Sequence, residues 1–185
     1  MSVSEPARDL TRPIVVETSS YVSPPSGSLS GDIAHVVLTE AQIVARTREL
    51  GAAIARDYQQ HVTLAQPLLA IVTLRGALAF AADLLRAIDL PVEVDFITAT
   101  SYFNQTISSG AVKITKDVET SLEGRHVIII EDIIDSGLTL ADLFDALEQR
   151  QPASLRICAL LDKGKPCRLR EQSWRVGYTG FAIPD

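Results

Sequence analysis

The 185-residue sequence predicts an α/β fold, in which helices cover both faces of a largely parallel sheet. Three observations support this prediction. Short apolar runs rich in β-branched residues recur along the chain, as in buried strands, and amphipathic segments with helical spacing lie between them. Strands that alternate with helices in this way imply right-handed crossovers. The composition, 46% hydrophobic and 22% charged, is that of a globular chain that can bury a core, and the length fits one domain with or without a small appendage.

The chain begins with a segment that is poor in structural signals. Residues 1–33 are rich in Ser, Pro, Gly and Thr, which predicts a flexible leader with at most one extended piece. Residues 34–185 are expected to form the folded domain. Thr39 to Gln42 reads TEAQ, a capping-box pattern that starts a helix, and apolar residues on one face carry this helix to about Tyr58.

The elements of the sheet follow in alternating order. The sequence predicts a buried strand at 68–74, a helix at 77–88, an alternating strand at 92–100, a polar loop at 101–110, a buried strand at 126–130, an amphipathic helix around 140–147 and a strand at 154–161. The polar loop is longer than a simple connection needs to be. Ligands bind at the carboxyl ends of the strands in such sheets, so we expect the functional residues there.

Charge and cysteine content exclude several functional classes. The net charge of −6 and the pI near 5.1 argue against broad electrostatic binding of nucleic acid or of anionic membranes. Cys158 and Cys167 lack the spacing of a metal site and are too few for a disulfide framework, which favours a reducing, cytoplasmic location. The sequence contains no apolar run that approaches the length of a membrane span.

One stretch combines a buried strand with an anion cradle. It runs from Val127 to Leu140 and reads VIIIEDIIDSGLTL. Gly137 permits a positive φ angle, and Ser136 and Thr139 supply hydroxyl groups beside the first amides of the following helix. Because these amides and the helix dipole favour negative charge, the sequence predicts a phosphate-binding loop.

Three carboxylates accompany this cradle. Glu131 and Asp132 cannot bind a phosphate directly, because like charges repel, but they can accept hydrogen bonds from hydroxyl groups or hold Mg²⁺ that bridges to a phosphate. Asp135 lies between the pair and the cradle, where it can accept a proton or stabilise a cation. A phosphorylated sugar with vicinal hydroxyls satisfies the whole arrangement. The simpler interpretation is that the acidic residues only cap and solvate a strand–helix turn, and their spacing directly after four apolar residues argues against it.

The same stretch carries a resemblance to a known family. EDIIDSGLTL resembles the phosphoribosyl-diphosphate signature of type I phosphoribosyltransferases, whose specific part is an acidic pair followed by D-[ST]-G-x-T. The similarity extends over residues 32–185 and is closest to family members that act on 6-oxopurines. Four further segments support it: VTLRGALAFAADLLRAI, the SY that follows the predicted strand at 92–100, ALLDKGKP and GFAIPD.

The resemblance implies a reaction, a cofactor and an architecture. The reaction is purine salvage: the 5-phosphoribosyl group passes from phosphoribosyl diphosphate to hypoxanthine or guanine, giving IMP or GMP and diphosphate. Mg²⁺ is the implied cofactor, and a homodimer or homotetramer is the implied assembly. The implied fold is a parallel-sheet core flanked by helices, with a small hood subdomain formed partly by residues after about 160.

The resemblance also implies roles for residues around the sugar and the phosphates. Asp135 matches the acid that handles the proton on purine N7, and Glu131 and Asp132 match the carboxylates that serve the ribose and Mg²⁺. The remaining matches are the 5′-phosphate loop at Asp135, Ser136, Gly137, Leu138 and Thr139, the diphosphate loop with a cis peptide bond at Leu74, Arg75 and Gly76, the start of a mobile loop at Ser101 and Tyr102, and a second Mg²⁺ acid at Asp185.

A third group of matches concerns the purine base. Lys163 matches the lysine that donates to the exocyclic oxygen of a 6-oxopurine. Tyr178 matches an aromatic residue that stacks on the base, and Thr179 matches a residue whose backbone contacts the ring edge. In this interpretation the closed loop at 101–112 keeps water away from the sugar cation.

Departures from the family pattern leave alternatives open. Arg75 stands where a lysine is common, and Leu138 also replaces a frequent lysine. Relatives usually continue past IPD with an apolar, aromatic segment and an arginine near the diphosphate, so the C-terminal end is expected to be short. Two alternatives therefore remain: a phosphoribosyltransferase for another base such as xanthine, and a catalytically weak relative that binds nucleotides.

Overall fold

The computed structural model describes residues 12–23, 32–101, 112–166, 169 and 175–184. These ranges contain seven strands in one sheet and three α-helices. In chain order the elements are β1 (Ile14–Val15), a 3-10 helix (Thr18–Ser20), α1 (Glu40–Tyr58), β2 (Leu68–Thr73), α2 (Leu78–Ala87), β3 (Val92–Ser101), β4 (Val112–Lys116), β5 (His126–Ile134), α3 (Leu138–Glu148), β6 (Ser154–Asp162) and β7 (Val176–Ala182).

The sheet has the strand order β1-β7-β6-β5-β2-β3-β4. All neighbouring strands are parallel except β3 and β4, which pair antiparallel. Strand β5 lies in the middle, between β2 and β6, so its carboxyl end is surrounded by the ends of other strands. The predicted α/β class with a largely parallel sheet is confirmed.

Two apolar cores lie on opposite faces of this sheet. Alternate residues of the central strands point to opposite sides, so Ile128 and Ile130 join one core whereas Val127 and Ile129 join the other. Helices α1 and α2 cover the first core and α3 covers the second. In the described part of the chain, no helix has both the length and the apolar character needed to cross a membrane.

The first helix begins where the capping box predicts. The Thr39 hydroxyl accepts a hydrogen bond from the Gln42 amide at 3.3 Å, and the Gln42 side chain accepts one from the Thr39 amide at 2.8 Å. The helix ends at Tyr58, as predicted. Later in this helix Gly51 lies so close to Ala87 of α2 that a Cβ atom built on Gly51 would come within 2.6 Å of the Ala87 backbone. This contact brings α1 and α2 together over the same face of the sheet.

A buried arginine on α1 fastens the helix to the edge of the sheet. Arg46, 2% exposed, donates to the carbonyl oxygens of Thr179 at 2.7 Å and of Gly180 at 3.1 Å, both on β7. It also donates to the carbonyl of Arg12 at 3.2 Å and pairs with Glu49 at 2.8 Å. One guanidinium group therefore links the segment before β1, helix α1 and strand β7.

Several elements differ from the sequence prediction. Strand β5 continues to Ile134, beyond the predicted end at residue 130, so Glu131 and Asp132 lie within the strand and not after it. Strands β4 and β7 are not among the predicted elements, whereas β1 lies in the segment for which one extended piece is allowed. Strand β7 contains Gly177 and Gly180, which have low strand propensity, and Gly180 is needed because a Cβ there would overlap the Leu160 carbonyl. The predicted division into leader, core and hood stays a prediction.

Candidate active site

A pocket opens at the carboxyl ends of the central strands. Its volume is about 370 Å³. Because β2, β3 and β5 are neighbours in one sheet, their ends bring together residues that are far apart in sequence. The lining consists of Thr73, Leu74, Gly76, Ala99, Glu131, Asp132, Ile133, Ile134, Asp135, Ser136, Gly137, Thr139, Leu140 and Leu143.

The carboxylate pair lies on the inner wall of this pocket. The Glu131 side chain accepts a hydrogen bond from the Asp132 amide at 3.0 Å. Burial and the adjacent Asp132 carboxyl raise the pKa of Glu131 to about 8, because a second negative charge is costly in a partly buried position. The Asp132 carboxylate packs directly on Gly76, where a Cβ atom would overlap it. The wall therefore holds two carboxyl groups side by side, a set of oxygen ligands that suits a hard cation.

This pair is the candidate metal site of the described residues. No group of three or more potential His, Cys, Asp or Glu ligands occurs in those ranges. Mg²⁺ usually keeps several waters and is held by one or two carboxylates together with phosphates of the substrate. Two adjacent carboxylates on the wall of a pocket that also contains a helix N-terminus fit that coordination.

The predicted phosphate loop connects β5 to α3. Gly137 has φ +67° and is the residue before the first turn of α3, where the Leu138 amide donates to the Ser136 hydroxyl at 3.5 Å. The Ser136 hydroxyl and Thr139 both lie at the pocket lining. Leu138 is the first residue of α3, and its side chain is 57% exposed. The backbone thus presents the open N-terminus of an eleven-residue helix to the pocket.

The loop after β2 forms the opposite side of the pocket. The peptide bond between Leu74 and Arg75 is cis, as the resemblance implies. The Leu74 amide donates to the carbonyl of Ile97 on β3 at 2.8 Å, which fixes the start of the loop to the neighbouring strand. Leu74 and Gly76 line the pocket, and Arg75 is an exposed residue between them.

Asp135 stands at the pocket mouth between two lysines. Its Oδ1 atom lies 3.1 Å from Lys165 Nζ and 3.2 Å from Lys163 Nζ. The Lys165 ammonium, followed by that of Lys163, holds the pKa of Asp135 below its ordinary value. The structure therefore brings the predicted base-binding Lys163 to the predicted proton acceptor, and both are next to the phosphate loop.

Two other predicted site residues, Tyr178 and Thr179, are not brought to this pocket. Tyr178 is 2% exposed in the core under α1, and its hydroxyl donates to Asp57 at 2.7 Å. Thr179 is 1% exposed, and its carbonyl accepts from Arg46. A ring enclosed in this way has no face available for a base, so this placement does not fit the predicted stacking role. Tyr102 and Asp185 lie outside the described residues, as does the side chain of Ser101.

Two residues of the site were missed in the sequence. Lys165 reads as part of a polar turn, DKGK, and only its contact with Asp135 distinguishes it. Thr73 ends the predicted strand at 68–74, and its hydroxyl donates to the Ile130 carbonyl at 2.9 Å beside the carboxylate pair. The sequence offered one signal for Lys165, its position two residues after the predicted ligand Lys163. It offered no signal for Thr73.

Comparisons with known proteins agree with this geometry. The sequence profile of the phosphoribosyl transferase domain matches residues 38–180. The chain is 42% identical over 174 residues to the hypoxanthine-guanine phosphoribosyltransferase of Mycobacterium tuberculosis, covering 92% of this chain and 85% of the relative. It is 45% identical over 154 residues to the hypoxanthine-guanine phosphoribosyltransferase of Bacillus subtilis, covering 83% and 81%. A crystal structure of a hypoxanthine phosphoribosyltransferase from Staphylococcus aureus superposes with a TM-score of 0.75 at 36% identity, over 86% of this chain and 82% of that one.

Proposed function

This chain belongs to the phosphoribosyltransferase family, and from this premise we propose that it is a purine-salvage transferase. It transfers the 5-phosphoribosyl group from phosphoribosyl diphosphate to hypoxanthine or guanine, giving IMP or GMP and diphosphate. One observation carries the proposal: a single pocket combines the N-terminus of α3, the Glu131–Asp132 pair and the cis-peptide loop. These three parts correspond to the 5′-phosphate, the ribose hydroxyls and the diphosphate of the sugar substrate.

The 5′-phosphate is assigned to the loop from Asp135 to Thr139. The positive φ angle of Gly137 turns the chain so that the first amides of α3 face the pocket, where they can donate to phosphate oxygens. The hydroxyls of Ser136 and Thr139 add two further donors. Leu138 contributes its backbone amide only, because its side chain points away into solvent.

The carboxylate pair is assigned to the ribose hydroxyls and to Mg²⁺. Glu131 and Asp132 would hold the ion, which when bound supplies positive charge to the departing diphosphate. Leu74, Arg75 and Gly76 present backbone amides and a guanidinium to the same diphosphate. The closeness of the two carboxyl groups on the wall of the pocket supports this assignment.

The base is assigned to the mouth of the pocket. Asp135 accepts the proton that purine N7 loses as the new bond to the sugar forms, and Lys163 donates to the exocyclic oxygen of a 6-oxopurine. Adenine has an amino donor at that position, so a lysine there disfavours it. Ser101 and Tyr102 are proposed to begin the loop that closes over the reacting centre.

Assembly and location are proposed at a coarser level. We expect a homodimer or homotetramer in the cytoplasm, on the pattern of the family. Sedimentation analysis of the purified chain would measure the assembly directly.

An ultraviolet assay of the purified chain tests the proposed reaction. It contains phosphoribosyl diphosphate, Mg²⁺ and one of hypoxanthine, guanine, xanthine or adenine. We expect turnover of the two 6-oxopurines hypoxanthine and guanine, dependent on Mg²⁺. Asp135→Asn should lower kcat by about a hundredfold or more, because it removes the proton acceptor.

A matched control separates this loss from a general effect of charge. Asp89→Asn removes an exposed carboxylate just after α2 and should leave kcat unchanged. Turnover confined to xanthine would replace the proposed substrate, and nucleotide binding without any turnover would contradict the catalytic proposal.

A further inference from the structure

The carboxylate of Asp135 is held by two ammonium groups, and the proposed reaction uses only one of them. Lys163 and Lys165 both contact the same atom, Asp135 Oδ1, at 3.2 and 3.1 Å. The oxygen of a bound base would compete with Asp135 for the Lys163 ammonium. The position of Lys165 therefore raises the question of what it does when Lys163 turns away.

The backbone between the two lysines is fixed at several points. The buried Asp162 side chain, 3% exposed, accepts a hydrogen bond from the Gly164 amide at 2.8 Å. The Lys163 amide donates to the Ile134 carbonyl at the end of β5 at 3.0 Å, and the Ile183 amide donates to the Asp162 carbonyl at 2.9 Å. Gly164 adopts φ +68°, which bends the chain between the lysines. Both ammonium groups are thus carried by a turn that is anchored to β5 and β7.

We propose that Lys165 is a positioning residue for the transfer reaction: it keeps a cation on Asp135 Oδ1 while Lys163 moves to the carbonyl oxygen of the bound purine. This inference rests on the proposed function, and Lys165 is not among the residues to which the family resemblance gives a role. Because Oδ1 is bound by ammonium groups, the proton-accepting atom is Oδ2. The purine N–H bond breaks, its electron pair stays on the ring, and the proton forms an O–H bond with Oδ2.

The surrounding charges explain why a second cation is useful. Asp135 shares its pocket with Glu131 and Asp132, two further carboxylates on β5. Without Lys165, the departure of Lys163 would leave the Asp135 carboxylate without an ammonium partner, and its proton affinity and orientation would both change. Because Lys165 stays in contact with Asp135, Lys163 can move from the Asp135 carboxylate to the oxygen of the bound base. The lowered pKa of Asp135, caused first by Lys165 and then by Lys163, agrees with this division.

Kinetic analysis of Lys165 variants tests the inference. Lys165→Gln should lower kcat for hypoxanthine about tenfold and leave the KM for phosphoribosyl diphosphate unchanged, because the effect passes through the proton acceptor. Lys165→Arg keeps the charge and should recover most of the rate. Arg86→Gln is the matched control: it removes an exposed cation that is paired with Asp83 on α2, and should not change kcat.

A double variant distinguishes positioning from a structural role. In an Asp135→Asn background, Lys165→Gln should cause no further loss, since its target is already absent. Losses that simply add would show that Lys165 acts elsewhere and would overturn the inference. So would a Lys165→Gln variant with the full rate of the unmodified chain.

A titration gives a readout that does not need turnover. Carbon-13 NMR of labelled aspartate carboxyls, with Asp135 assigned from its Asn variant, should show that the pKa of Asp135 rises in Lys165→Gln, because an ammonium partner is lost. Arg86→Gln should leave the pKa of Asp135 unchanged. A chain that turns over no purine would overturn the proposed function, whereas an unchanged Asp135 titration would overturn the Lys165 assignment by itself.

Discussion

At the scale of single residues, the contact between Gly76 and Asp132 is the tightest constraint on the pocket. The Asp132 carboxylate occupies the space in which any side chain at position 76 would begin. The loop after β2 and the Asp132 carboxylate of β5 therefore hold each other in place. A residue on the proposed diphosphate loop thereby sets the position of a residue on the proposed metal site.

Gly76→Ala should therefore impair the reaction far more than it impairs folding. The added methyl group must displace the Asp132 carboxylate, and a displacement of about 1 Å in a catalytic site can cost a hundredfold in rate. We expect a loss of that order in kcat/KM, measured in the ultraviolet assay, with a similar melting temperature. Gly124→Ala is the contrasting control, because its Cβ meets nothing within 4 Å but its φ of +67° is unfavourable for alanine. Gly124→Ala should lower the melting temperature slightly and leave kcat/KM unchanged. A Gly76→Ala variant with full kcat/KM, or a Gly124→Ala variant with a similar loss, would contradict this interpretation.

The acidic residues of the site could be predicted from sequence, whereas their contacts could not. Glu131, Asp132 and Asp135 stand out because carboxylates directly after a buried apolar run are costly unless they are used. The contact of Lys165 with Asp135 depends on a turn whose shape is set by Gly164 and by hydrogen bonds to two other strands. Nothing local in DKGK specifies that geometry.

At the scale of elements, Arg46 determines how α1 is attached to β7. The guanidinium is almost completely buried and donates to carbonyls on two separate segments. Arg46→Met keeps a long apolar stem but leaves those buried carbonyls without a donor. We expect the free energy of unfolding to fall by about 2–4 kcal/mol, measured by urea denaturation.

The control for this change lies two residues further along the same helix. Arg48 is exposed, so Arg48→Met removes the same charge without exposing buried carbonyls. Its effect on stability should be within about 0.5 kcal/mol. Equal losses in the two variants would show that charge, and not the buried hydrogen bonds, accounts for the effect.

The elements that sequence patterns missed share a physical cause. Helix α1 was predicted with both ends because its capping box and apolar face are local signals. Strand β4, which reads VKITK, contains two lysines and lies at the end of the sheet, so burial leaves little pattern in it. Strand β7 is defined by pairing with β6 and contains glycines that tertiary contacts require. Local propensity cannot report such long-range pairing.

At the scale of the whole molecule, Asp95 makes stability depend on pH. Its Oδ2 accepts from the amides of Glu119 at 2.8 Å and Thr120 at 3.0 Å, and its Oδ1 accepts from the Phe96 amide at 2.7 Å. Burial alone would raise the pKa of Asp95, but these amide hydrogen bonds outweigh it and the pKa lies below its ordinary value. The charged form thus connects β3 to the segment that precedes β5.

The sign of the effect follows from this lowered pKa. The folded state holds the Asp95 proton more weakly than the unfolded state, so Asp95 stabilises the fold above its ordinary pKa and loses this contribution as the pH falls through the folded value. Asp95→Asn should lower the free energy of unfolding at pH 7 and reduce its decline between about pH 5 and pH 3, measured by urea denaturation at each pH. In Asp89→Asn the free energy of unfolding should still fall with pH as it does in the unmodified chain. Equal pH dependence in the Asp95 and Asp89 variants would contradict the assignment of this effect to Asp95.

The fold class could be predicted because alternation of strands and helices leaves few topologies. The strand order could not be predicted, because β2 pairs with both β3 and β5. The pairing of β7 with β1 joins residues that are more than a hundred positions apart in the sequence. Function was accessible for a similar reason as the fold class: the proposed phosphate loop is continuous in sequence, so its chemistry can be inferred without the tertiary structure.

The outermost strands of the sheet also bear on how this protein behaves at high concentration. On one side the described sheet ends in β1, only two residues long, and on the other in β4, a five-residue strand that contains Lys113 and Lys116. A growing amyloid-like stack needs a long, flat and uncharged strand on which a second molecule can add its own. A two-residue strand is too short to serve as that template, and a lysine-bearing one repels its own copy. The sheet therefore resists self-propagating aggregation at both margins while its centre serves the reaction.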